Sequence, residues 1–160
     1  MASRLPAVPR VVFTVIEPIS LLGGCVPALF AAGWFIREQI AEAAPTPAVA
    51  PSDQAHIVAQ QLGNAYGLLF MIGVAVLYTS TELKVVRNYL VALLIADIGH
   101  VGLTIAALGP DRFAAIGEWN AMTWGNVGFT IFLALMRTSY LLGFFGPDKP
   151  LAVSIYEKQK

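Results

Sequence analysis

Four stretches of this sequence are apolar for long enough to span a bilayer: about 11–36, 57–79, 88–108 and 121–145. A transmembrane helix needs roughly 20 such residues. The rest of the composition agrees. Hydrophobic residues make up 57% of the chain, charged residues only 12%, and mean hydropathy is +0.68. Soluble domains carry about 25% charged residues. The expected fold is therefore all-α: a four-span transmembrane helical bundle forming a single integral-membrane domain over 1–160. The first stretch is expected to be retained. Its apolar run exceeds the 7–15 residues typical of a cleaved leader, and it contains Glu17 and Pro18.

Several function classes fall away early. Net charge is zero and the pI is about 6.7, so no basic face exists to neutralise phosphates, and nucleic-acid binding is not expected. Cys25 is the sole cysteine, which excludes an internal disulfide. No Cys/His cluster suggests structural zinc. Asp97 and His100 lack a third ligand to complete a metal site, so neither metal nor cofactor is expected.

The connections have different characters. Residues 43–56, AAPTPAVAPSDQAH, are rich in Pro and Ala and read as an irregular loop. STELKVVR at 80–87 reads as a short charged turn that begins a helix, with Ser80 or Thr81 as cap. GPDRFAAIGEWN at 109–120 mixes aromatic and charged residues and suits a membrane interface. Arg4, Arg10, Lys84, Arg87, Lys149, Lys158 and Lys160 fall on one side of four spans, against Arg37 and Arg112 on the other. The positive-inside rule then places both termini in the cytosol.

The ionisable residues inside the spans constrain function most. Helical rise puts Glu17 about 9 Å, Arg137 about 12 Å and Asp97 about 14 Å from the cytosolic side. Glu17 and Arg137 are expected to pair. His100 follows Asp97 by three residues, on the same helix face. Asn64, Tyr66, Trp124 and Asn126 fall in the lumenal half, with Trp119 and Asn120 at its mouth. Lipid cannot satisfy such groups, so all are expected to point inward around a polar cavity. Pro18 cannot donate to the carbonyl of Thr14, which predicts a freed acceptor and a kink beside Glu17. Blander readings stand beside the functional ones. Glu17 with Arg137 can be a structural ion pair, His100 a packing residue and the asparagines interhelical hydrogen bonds. Trp119 and Trp124 can be interface residues, and Gly23, Gly24, Gly125 and Gly128 can allow close helix packing.

At VIEPISLLGG, LIADIGHVG and EWNAMTWGNVGF the chain resembles a family of small fungal integral-membrane proteins encoded beside polyketide synthases. Members are described as epoxide hydrolases or cyclases that open polyene-derived epoxides. The likeness covers most of residues 6–145. At the level of fold alone it extends to the four-helix sterol-isomerase and sigma-2-receptor architecture. The resemblance implies a hydrophobic epoxide substrate, a bilayer environment, the endoplasmic reticulum and a role in secondary-metabolite biosynthesis.

The residues suit that chemistry. Epoxide opening needs an acid at oxygen and a base for the nucleophile, which two carboxyl groups in different protonation states provide. Glu17, Asp97 and His100 are the candidate catalytic residues. Arg137, Asn64, Tyr66, Trp119, Asn120, Trp124 and Asn126 are candidates for substrate contact. Two rivals remain: an isomerase of sterols or terpenes using the same acid and base, and a non-catalytic lipid-binding protein. Association with further copies of the chain stays open.

Overall fold

The computed structural model of the chain describes residues 4–40 and 50–149, and every regular element among them is helical. We number the helices α1 (Ala7–Phe30), α2 (Ala32–Glu38), α3 (Asp53–Thr79), α4 (Leu83–Leu108), α5 (Pro110–Ala114) and α6 (121–141). Three of them, α1, α3 and α4, are long and apolar enough to cross a membrane, with 24, 27 and 26 residues. Their outward surfaces are mostly apolar. Ile95, Ile98 and Leu103 on α4 are 67%, 64% and 76% exposed. A water-soluble protein does not leave whole helix faces of this kind uncovered, whereas a lipid-facing surface has this character.

Helix ends depart from the expected limits for local reasons. α1 starts at Ala7 and breaks at Ala31, whose φ of −138° and ψ of 42° are not helical. Helical bonding runs up to the break itself, with Ala31 N donating to Pro27 O at 2.8 Å. α3 begins earlier than expected because Ser52 caps it, its Oγ accepting from Ala55 N at 3.2 Å. Neither Ser80 nor Thr81 caps α4. Glu82 occupies that position without a side-chain bond, and Ser80 Oγ instead accepts from Glu82 N at 3.3 Å. α4 stops at Gly109, whose φ of 78° suits glycine, and Pro110 then opens α5. α6 ends at Leu141, short of 145, with Gly143 at φ 83° just beyond. Residues 43–49 of the Pro/Ala-rich connection, and Lys158 and Lys160 of the tail, lie outside the described residues.

Two helices contain π-helical stretches. Val12–Ile16 lies directly before Glu17 and Pro18. The expected free acceptor is there: the carbonyl of Thr14 accepts a hydrogen bond from Tyr78 Oη at 2.8 Å. The second stretch, Trp124–Phe129, lies between Ala121–Thr123 and Thr130–Leu141 of α6. Thr130 Oγ1 donates to Gly125 O there at 3.3 Å. π-turns of this type often accompany functional sites.

α1, α3, α4 and α6 alternate in direction. At one end, Arg4 donates to Lys149 O at 3.0 Å and to Thr81 O at 3.1 Å, and Arg87 pairs with Asp148 at 2.7 Å. The N-terminal segment, the α3–α4 turn and the stretch after α6 therefore meet at that end, the three segments whose positive charges the sequence reading grouped together. At the other end, Asn120 Nδ2 donates to Glu38 Oε2 at 3.1 Å. Leu5, Val12, Phe13, Leu77, Val86, Leu90, Leu133 and Tyr140 form a core towards the Arg4 end. A smaller cluster, Ala28, Ala32, Phe35 and Ala59, joins α1 and α2 to α3.

The α1–α3 contact rests on small residues. A Cβ at Gly63 would sit 2.9 Å from Ala28 Cβ and 3.2 Å from Cys25 O, and one at Gly67 would meet Cys25 Sγ at 3.5 Å. Of the glycines expected to serve packing, Gly24 does so, against the Tyr66 ring. Gly23 and Gly125 face open space, and Gly128 gives room to Trp124 of its own helix.

Candidate active site

Glu17, Asp97 and Arg137 come from α1, α4 and α6 and meet in the interior. Arg137 Nη2 donates to Glu17 Oε1, and Nη1 donates to Asp97 Oδ2. The residues are 1% (Arg137), 5% (Glu17) and 9% (Asp97) exposed. Phe13 closes one side, its ring centroid 5.7 Å from Arg137 Cζ, and Tyr140 packs edge-on to Phe13 at 6.3 Å. The pairing of Glu17 with Arg137 matches expectation. Arg137 holds Asp97 as well, a bond beyond the expected pair.

Two features set this triad apart from a simple ion pair. One guanidinium faces two carboxyl groups in a site remote from water, so full ionisation would leave an uncompensated negative charge in an apolar medium. In addition, Glu17 Oε2 and Arg137 Nε are buried and have no hydrogen-bond partner among the described residues. Buried polar atoms are normally satisfied, so an unmatched acceptor and donor in one cluster mark the place where a further polar group fits. Tyr89, on α4, packs against the core that contains Phe13 and Tyr140. Gly73 makes room for that ring: a Cβ there would lie 2.9 Å from Tyr89 Oη.

The remaining candidates spread toward the Glu38 end. His100 is half-buried beside Asn126, and its carbonyl accepts from Thr104 Oγ1 at 2.8 Å. Asn126 Nδ2 donates to Gln39 Oε1 at 3.0 Å. Asn120 caps α6, accepting from Thr123 N at 2.8 Å while its Nδ2 reaches Glu38. Trp119 Nε1 donates to Arg112 O at 3.2 Å, and its ring packs between Phe113 and Trp124 at 5.8 and 5.1 Å. Trp124 is half exposed. Tyr66 lies against α1 at Gly24. Asn64 stands on the exposed outer face of α3, so the inward orientation expected of every polar group does not hold there. Among the described residues, no three His, Cys, Asp or Glu side chains are grouped to hold a metal ion.

One bond and two residues were not expected from the sequence. The Asp97–Arg137 bond was legible in depth, since about 14 and 12 Å agree as well as the values that paired Glu17 with Arg137. Tyr89 had no such signal, because a tyrosine near a charged helix end reads as an interface residue. Glu38 becomes visible only once α2 is seen to fold back toward Asn120.

A family model describing a domain of unknown function, DUF7704, matches residues 2–147. The chain belongs to the DUF7704 family. No curated protein and no solved structure matches it.

Proposed function

We propose that this chain is a cofactor-independent membrane epoxide hydrolase or cyclase that opens polyene-derived epoxides in secondary-metabolite biosynthesis. In this reading α6 is a fourth span, both termini are cytosolic, and the membrane is that of the endoplasmic reticulum. The observation that carries the proposal is the sharing of one buried guanidinium, Arg137, by two carboxyl groups, Glu17 and Asp97. The resemblance at VIEPISLLGG, LIADIGHVG and EWNAMTWGNVGF supplies the reaction class.

One positive charge balances one carboxylate, so the second carboxyl is most stable with a proton. That combination is an acid–base pair. The protonated carboxyl donates to the epoxide oxygen as the C–O bond breaks. The ionised carboxylate takes a proton from water, whose oxygen forms the new bond to carbon. A vicinal diol results, and a proton passing between the two carboxyls restores the site. In a cyclase, a hydroxyl of the substrate takes the place of water. Glu17 Oε2 and Arg137 Nε supply the acceptor and donor that such a hydroxylic nucleophile requires. His100, Asn126, Tyr66, Trp119 and Trp124 line the approach from the Glu38 end in this scheme.

Incubation of membranes containing the chain with epoxidised polyenes in oxygen-18 water tests the proposal. Hydrolysis gives a diol carrying the label. Cyclisation gives an unlabelled cyclic ether in which the epoxide is gone. An unlabelled isomer that keeps its epoxide and differs only in double-bond position would instead indicate the alkene-protonating isomerase, and absence of any product across the epoxide series would indicate a lipid-binding protein.

A further inference from the structure

α3 carries a face that no described element covers. Gln61, Asn64, Leu68, Met71 and Ala75 are all exposed. Their separations alternate between three and four residues, which is the 3.5-residue repeat of a left-handed helix pair. Most of this face is apolar and suits lipid. Gln61 and Asn64 do not. Asn64 lies eleven residues after Asp53, about 16 Å along the helix, within the depth of the hydrocarbon. Other carboxamides are used inside the fold: Gln60 reaches Leu29 O at 3.5 Å, Asn120 reaches Glu38, and Asn126 reaches Gln39. Gln61 and Asn64, one turn apart, turn away from the bundle.

A carboxamide both donates and accepts, so it complements itself. Copies of one chain in one membrane share an orientation, and two α3 helices meeting on this face must run parallel. A twofold axis along the membrane normal then sets each residue of the seam opposite its own counterpart. The carboxamides find partners, while Leu68, Met71 and Ala75 pack below them. A buried Asn on such a seam specifies a register and a two-stranded state, and Asn or Gln hydrogen bonds promote helix association in lipid. On α4 the exposed carboxamide, Asn88, lies only five residues from the helix start, beside Arg87, and the outer face beyond it offers Ile95, Ile98 and Leu103. We infer that the chain forms a parallel homodimer through the exposed face of α3, with the two Asn64 carboxamides hydrogen-bonded across the twofold axis.

Single cysteines in the full chain, oxidised in membranes, test the surface. Leu68→Cys and Met71→Cys should form disulfide-linked dimers. Ile95→Cys, Leu103→Cys and the parent chain, whose Cys25 is buried, should not. In vesicles, energy transfer between labelled copies at decreasing protein-to-lipid ratio gives the dissociation constant. Asn64→Leu should raise it about 5- to 30-fold, while Asn64→Gln, which keeps the amide, should hold it near the parent value. Unchanged helix content by circular dichroism shows that the Asn64→Leu monomer remains folded. Equal cross-linking at Ile95 and Leu103, or a dissociation constant indifferent to Asn64→Leu, would overturn the inference.

Discussion

Arg137 bonds directly to Asp97, forty residues away in sequence and on a different helix. The same guanidinium also holds Glu17, so three helices are joined through one side chain. Stability and the proposed chemistry therefore share an origin, and removing any one member changes the environment of the other two.

Arg137→Met strands two carboxyl groups. Breaking a buried ion pair costs about 3–5 kcal/mol, and a marked fall in the thermal midpoint of purified protein is expected. Adding Glu17→Gln alone recovers only part of the loss, because Asp97 stays unpaired. The triple variant with Glu17→Gln, Asp97→Asn and Arg137→Met should recover most of it. Strictly additive losses would show that the three side chains do not act as a unit.

Gly63→Ala sets two effects against each other. Alanine is better than glycine inside a helix by about 1 kcal/mol. The new methyl would meet Ala28 Cβ at 2.9 Å and the Cys25 carbonyl at 3.2 Å, and overpacking of that kind costs about 1–3 kcal/mol. Backbone cannot yield as a flexible side chain can, so net destabilisation is expected. Gly99→Ala is the control. Nothing lies within 4 Å of a Cβ there, so only the helical gain remains and the melting temperature should rise.

The three helices long and apolar enough to cross a membrane and the Glu17–Arg137 bond were legible because both follow from one-dimensional quantities, apolar run length and depth along a helix. Angular position was less legible. Asn64 and Tyr66 are two residues apart, yet one faces outward and the other packs on Gly24. A π-turn adds to the difficulty, since it shifts every residue beyond it around the helix relative to ideal 3.6-residue geometry. Val12–Ile16 and Trp124–Phe129 lie on the two helices that carry Glu17 and Arg137. The small-residue contact at Gly63 was missed for another reason: a lone glycine reads as flexibility until the partner helix is known to touch it.

Topology is open to a direct measurement. The Arg4, Thr81 and Lys149 contacts place three basic segments at one end, and the positive-inside rule assigns that end to the cytosol. A glycosylation acceptor inserted into 43–49 should therefore be modified, and one fused to the tail should not. The opposite result would reverse the orientation.

Asp97→Asn tests whether the triad does chemistry. The carboxamide keeps the size of the side chain and can still accept from Arg137 Nη1, so the helices remain joined. It cannot exchange a proton. If Asp97 is one of the acid–base pair, epoxide turnover should fall about 10²-fold or more, the usual effect of losing one such group. His100→Gln should cost less, because Arg137 and not His100 holds the Asp97 carboxylate. Rates must be compared at matched protein abundance and thermal stability. A charged Asp at a helix centre costs about 2.5–3.5 kcal/mol on membrane-insertion scales, and here the Arg137 bond offsets part of that cost. Burial alone therefore does not imply catalysis. Near-normal turnover by Asp97→Asn would assign Asp97 to helix joining and leave Glu17 as the carboxyl that transfers the proton.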